Sequence, residues 1–186
     1  NLSYGGYYFS QAVKDAIDYA YSSGCVIVSS AGNDNTDVPM YPAALPHVIA
    51  VGATNQSDLK ANFSNFGGHI DLTAPGVDIY STMPGGTFDY KFGSQPPPGT
   101  SASAAFVSGL AALIKAQNPA FNNDDIYQTL VTTAADLGVS GWDRYFGYGR
   151  IDALAALQAG VPLTSKITSP LPDSLVTGII NINGTS

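Results

Sequence analysis

The chain has 186 residues, enough to bury an ordinary core. It is 45% hydrophobic and only 11% charged, which argues against disorder over most of its length. Its formal charge of -7, with seven Lys plus Arg, leaves no basic stripe for phosphates and argues against nucleic acid, and no apolar run is long enough to span a membrane.

The chain opens Asn1-Leu2-Ser3-Tyr4-Gly5-Gly6, with neither a charged start nor a long apolar core, the texture of a start in mid-fold rather than a signal peptide. After Ser10, the residues Ala12, Val13, Ala16, Ile17 and Ala20 recur at helical spacing up to Ser22-Ser23-Gly24, predicting a helix with one buried face. Short β-branched runs at 25–31 and 47–53 predict strands. Their nearly continuous apolar character suits parallel strands covered on both faces. Cys25, the single cysteine, excludes an internal disulfide and is expected as a buried reduced thiol.

Residues 62–99 are rich in Gly, Pro, Ser and Tyr, with shorter strands expected at 70–72 and 77–82. From Ser101 to about Ala116 the residues are apolar almost all round, predicting a helix through the core. Further helices are expected from Asn122-Asn123 to Ala135 and over 151–159. Beyond Gly160 the texture changes, with a β-branched run at 176–182. So short a stretch cannot form a sheet domain alone, so 1–160 is read as one domain and 161–186 as a linker and the start of a truncated β-rich module.

Two stretches carry chemistry. In GTSASAAFVSG (99–109), Ser101 stands at the amino end of a buried helix, where unpaired N–H groups and the helix dipole favour negative charge. A plain cap by Thr100 or Ser101 fits that stretch equally well. In SAGNDN (30–35), Asn33 follows the end of a strand, where open α/β sheets place ligands, and its amide could face a developing oxyanion. Taken alone, Gly-Asn-Asp-Asn is ordinary turn chemistry.

Together these stretches resemble the subtilisin-like serine proteases, the subtilases. SAGNDN looks like their oxyanion-asparagine motif and GTSASAAFVSG like their nucleophile motif. YPAALPHVIAVGAT from Tyr41, NFSNFG from Asn62, DLTAPGVDIYST from Asp71 and GYGRIDALAAL from Gly147 agree in order and spacing. The resemblance covers residues 1 to about 159. It implies an α/β fold of three layers, a mostly parallel sheet flanked by helices, here as a partial domain. It implies a serine endopeptidase with Ser101 as nucleophile and Asn33 and the Ser101 backbone N–H as oxyanion donors, supported by Thr100. It also implies that Ser3, Tyr4, Gly5 and Gly6, and Ser30, Ala31 and Gly32, border an extended polypeptide substrate pairing as a β-strand. The resemblance places Met40 at the floor of the pocket for the side chain before the cut bond, with a turn of Met40 away into a loop as the alternative; a cis peptide is expected at Tyr41-Pro42, and secretion to the extracellular space follows from the family.

The family needs no cofactor for its chemistry. A weakly bound calcium or sodium ion would match the carbonyls of Ala43, Leu45 and Val48 with the carboxylate of Asp71. A simple loop-capping role for Asp71 competes, because His69 stands where a second carboxylate can sit.

Acyl transfer by serine needs a general base. Neither histidine, His47 or His69, stands where the family places one, and the family's Asp and His come earlier along the chain. The upstream part of the same catalytic domain is therefore the expected partner, and this chain alone is expected to be inactive. The alternative is a catalytically inactive subtilisin-like domain serving as a binding or structural module. Intact Ser101, Thr100 and Asn33 argue against that decay. Ala105 and Phe106 depart from the proline and histidine usual at those positions, and Pro96-Pro97-Pro98 before Gly99 is also unusual. No G-x-S-x-G elbow or H-E-x-x-H motif supports another hydrolase class.

Overall fold

In the computed structural model, residues 1–83, 85–89 and 99–162 are described, together with the backbone of 166–169 and 183–185. The β-branched runs become β1 (Ile27–Ser30) and β2 (Val48–Thr54), both buried along their whole length, and β3 (Leu72–Pro75) completes a parallel sheet in the order β1-β2-β3. The register pairs Val28 with Ile49 and Gly52 with Thr73. Leu2 extends the sheet beyond β1: its N–H donates to Val28 O, and its C=O accepts from Ser30 N–H. Arg150 adds a parallel bridge to Thr73 on the far side.

Helices cover both faces, giving the three layers. Helix α1 (Gln11–Ser22), capped by the Ser10 hydroxyl, packs Ile17 with Ile27, Leu45 and Val48. On the other face lies α2 (Thr100–Gln117), whose Ala104, Val107, Ala111 and Ile114 form one helical stripe against Val28, Val51, Leu72 and Ala74. Each fully buried Val, Leu or Ile there stabilises by about 1.5–3 kcal/mol. Helix α3 (Asn123–Thr132) begins with a capping box of Asn122 and Asp125 and adds Ile126 and Leu130 to that core, and α4 (Ala153–Gln158) adds Ala156. A hairpin of β4 (Ser81–Met83) and β5 (Thr87–Asp89) follows the sheet, and β6 (Lys166–Ser169) pairs antiparallel with β7 (Asn183–Thr185). The β-branched run at 176–182 and the Pro96-Pro97-Pro98 stretch lie outside the described residues.

Several expectations are corrected. Cys25 is exposed, not buried: its N–H donates to Ala20 O, which holds it in the turn closing α1 and delays β1 to Ile27. Helix α3 stops at Thr132 rather than Ala135, because Ala135 exchanges two backbone hydrogen bonds with Arg150. Residues 77–80 are not strand, and the third strand falls on Leu72–Pro75 instead of 70–72. Helix α2 is not buried all round. Phe106 is 46% and Leu113 54% exposed, on a face that also carries exposed Ala105 and Ala112.

Candidate active site

The N-terminus of α2 meets the carboxyl ends of the strands. Fully buried Ser103 donates its hydroxyl to Ala74 O at 2.9 Å, and Gly76 at the end of β3 fits closely, since a Cβ there would fall 2.6 Å from both Ala53 Cβ and Ser103 Oγ. Gly99 is the N-cap residue of α2 and offers no side-chain acceptor. That acceptor comes from another segment. Asn33 Oδ1 accepts both the Thr100 N–H and the Thr100 hydroxyl at 2.9 Å, and Thr100 Oγ1 in turn accepts the Gly32 N–H at 3.1 Å. Neither Thr100 nor Ser101 acts as the cap, and Asn33 does more than shape its own turn.

This arrangement commits one end of the Asn33 amide and frees the other. Among the described residues, Asn33 Nδ2, Ser101 N–H and Ser101 Oγ have no hydrogen-bond partner. Asn33 packs so closely on Gly99 that a Cβ on residue 99 would lie 2.6 Å from Oδ1, so the glycine is a steric requirement. The Ser101 carbonyl accepts the Ser3 hydroxyl at 3.0 Å, which ties the first residues of the chain to the start of α2.

The segments expected beside a substrate differ in what they offer. Among the described residues Ser3, Tyr4 and Gly5 make no backbone–backbone hydrogen bonds, while Gly6 pairs with Tyr41 in both directions at 2.9 and 2.8 Å. Ala31 and Gly32 are fully committed: Ala31 N–H to Val51 O, Ala31 O to Asn65 Nδ2, Gly32 N–H to Thr100 Oγ1 and Gly32 O to Asn65 N–H. The first segment thus has backbone groups free to pair with an added strand, while Ala31 and Gly32 form a wall. Met40 is buried between them. A Cβ on Gly5 would fall 2.7 Å from Met40 Cε, and one on Gly32 would fall 2.9 Å from Met40 Sδ, so the two glycines make room for the thioether. The Tyr41-Pro42 peptide that follows is cis.

Residues 1–149 match the subtilase family. The chain belongs to that family. It is similar to Subtilisin NAT of Bacillus subtilis subsp. natto, with 43% identity over 163 residues, 85% of this chain and 40% of that protein. It is similar also to Subtilisin of Bacillus pumilus, with 42% identity over 163 residues, 85% of this chain and 56% of that protein. With the Thermophilic serine proteinase of Bacillus sp. (strain AK1) it shares 41% identity over 157 residues, 84% of this chain and 37% of that protein. The chain thus spans about two-fifths to just over half the length of these relatives.

In this subtilase the two histidines lie away from Ser101 in their contacts. His47 stacks on Tyr21 with ring centroids 3.9 Å apart. His69 lines a cavity of about 650 Å³ shared with Ala43, Leu45, Val48, Asp71 and Tyr127; its Nε2 is buried without a partner, and burial lowers its pKa. In that cavity Asp71 accepts the Ala50 N–H at 2.8 Å and the Tyr127 hydroxyl at 2.9 Å. Burial pushes its carboxyl above the ordinary 3.8, and those two donors pull it back. Among the described residues no group of three or more His, Cys, Asp or Glu is arranged to hold a metal, and no helix is long and apolar enough to cross a membrane.

One residue of the site escaped the reading of the sequence. Asn65, fully buried, contacts the loop that carries Asn33 on both sides of it. The stretch NFSNFG contains it, but a buried polar residue between two loops leaves no mark on hydrophobic periodicity.

Proposed function

We propose that the complete protein is a serine endopeptidase in which Ser101 Oγ attacks the scissile carbonyl carbon of a polypeptide. Its proton passes to a histidine held by an aspartate, both in the part of the catalytic domain that precedes these residues. The carbonyl oxygen becomes an oxyanion between Asn33 Nδ2 and the Ser101 N–H. Collapse expels the amine with the proton from the same imidazole, leaving an acyl-enzyme at Ser101. Water then attacks the acyl carbon as the imidazole takes its proton, and collapse releases the carboxylic acid while the imidazolium returns that proton to Ser101 Oγ.

The observation that carries this reading is the pairing of Asn33 with Thr100 through Oδ1, which leaves Asn33 Nδ2 free at the helix N-terminus where, among the described residues, the Ser101 N–H and hydroxyl also lack partners. The substrate strand pairs with Ser3, Tyr4 and Gly5, and the side chain before the cut bond enters between that segment and Ala31 and Gly32, with Met40 at the floor. In keeping with the family, the protein acts outside the cell, and residues 161–186 begin a separate β-rich module.

The cavity of Ala43, Leu45, Val48 and Asp71 suits a weakly held calcium or sodium ion. Its support is a desolvated carboxylate with only neutral donors on both oxygens. One carboxylate is few for calcium, which takes six to eight oxygens. No step of the reaction depends on it.

The reading is tested by labelling the complete enzyme with a sulfonyl fluoride and mapping the adduct. Modification at Ser101, with hydrolysis of a peptide p-nitroanilide abolished by Ser101→Ala, is the expected result. A labelled residue elsewhere, or turnover surviving Ser101→Ala, rules the mechanism out.

A further inference from the structure

We infer that Asn65 is a positioning residue for the oxyanion donor, holding the backbone on either side of Asn33 so that Nδ2 is fixed before substrate arrives. The inference rests on the serine-protease reading above and deepens it. The Asn65 carboxamide is fully buried and uses all four of its hydrogen-bonding positions. Its Nδ2 donates to Ala31 O at 3.0 Å and to the Tyr7 hydroxyl at 3.3 Å, and its Oδ1 accepts from Asp34 N–H at 2.9 Å and Thr36 N–H at 3.3 Å. Its own backbone N–H donates to Gly32 O at 3.0 Å. Asn33 therefore sits in the middle of a span gripped at 31, 32, 34 and 36 by one residue.

The fit explains Gly32 as well. Its φ of +107° is a conformation that residues with a Cβ rarely adopt, and a Cβ there would lie 2.3 Å from Asn65 Nδ2. Tyr7 completes the brace by donating its hydroxyl to Asp34 Oδ2 at 2.5 Å while accepting from Asn65. Burial, then the bond to Asp34, raises the Tyr7 pKa, so the hydroxyl keeps its proton and stays a donor. Lys60 reaches the same loop, with Nζ donating to Asn35 Oδ1 at 2.9 Å. A donor aimed at a transition state is useful in proportion to how little it must reorganise, and this brace removes that reorganisation.

The test is a double-mutant cycle in the complete enzyme, with kcat and KM measured on a peptide p-nitroanilide. Asn65→Ala is expected to lower kcat by about 10- to 100-fold, the cost of a small misplacement of a reacting group, with KM nearly unchanged. In the Asn33→Ala background the same change is expected to cost little more, because the donor it positions is already gone. Tyr7→Phe should repeat the pattern more weakly, and it decides the question if Asn65→Ala is recovered unfolded. Equal losses in both backgrounds, or a loss of kcat/KM carried by KM, overturn the inference while leaving the mechanism standing if Ser101→Ala is inert. Turnover that survives Ser101→Ala overturns both.

Discussion

At the scale of single residues, Asn33 has two roles carried by one amide: Oδ1 fixes Thr100, and Nδ2 is free. Asn33→Ala is expected to lower kcat far more than it raises KM. In subtilisin itself removal of such a side-chain donor costs about 10²–10³ in kcat, a value measured in the family rather than obtained from this geometry. The proposed role of Met40 is in selectivity. Lying between Gly5 and Gly32, its flexible apolar chain shortens the slot without adding charge. The complete enzyme should prefer Leu or Met over Phe or Tyr before the cut bond, and Met40→Gly should move that preference toward the aromatics by about 10- to 200-fold at most. Unchanged kcat/KM ratios for Leu and Phe substrates would take Met40 out of the pocket. The sequence singled out Ser101 and Asn33 because the two chemistry-bearing motifs contain them, and Met40 because it precedes Tyr41-Pro42. Asn65 and Tyr7 were not, since their importance lies in contacts across 34 and 27 residues of sequence, to Ala31 and Asp34.

The elements follow their hydrophobic pattern closely where a face is buried and less so at their ends. Continuous apolar runs correctly indicated parallel strands, whereas α2, apolar almost all round in sequence, buries one face, with the stripe of Ala104, Val107, Ala111 and Ile114 on the sheet. The boundaries moved where backbone hydrogen bonds outweighed propensity, one at Cys25 and two at Ala135. Helix α2 also separates two kinds of apolar residue that look alike in the sequence. Ile114→Ala should cost about 2–5 kcal/mol of stability in this chain. Leu113→Ala, at an exposed position, should cost within about 0.5 kcal/mol. In the complete enzyme, if the upstream part of the domain covers that face, Leu113→Ala should become as costly as Ile114→Ala. Denaturant melts of both variants in both proteins give the comparison, and a Leu113 cost that stays small in the complete enzyme leaves the face uncovered.

For the molecule as a whole, three layers coexist with the proposed nucleophile and oxyanion site, and among the described residues neither histidine contacts Ser101. The 186-residue chain should therefore hydrolyse no peptide at a measurable rate. Turnover by the pure chain that Ser101→Ala abolishes would mean that His47 or His69 reaches the serine after all. The cation proposal is checked by melting: calcium should raise the Tm of wild type more than that of Asp71→Asn, and equal shifts dismiss the site. The hydrogen bond from the Ser3 hydroxyl to the Ser101 carbonyl has a consequence for the order of folding. It joins residues 98 apart, and the bonds from Thr100 to Asn33 and Gly32 join residues 67 and 68 apart. Loops of that length close late, because their entropy must be lost before the contact returns anything, and rates fall as contacts become less local. The geometry around Ser101 should thus form no earlier than the packing of α2 on β1, which joins residues equally far apart, so a half-folded chain should carry the serine without its proposed surroundings.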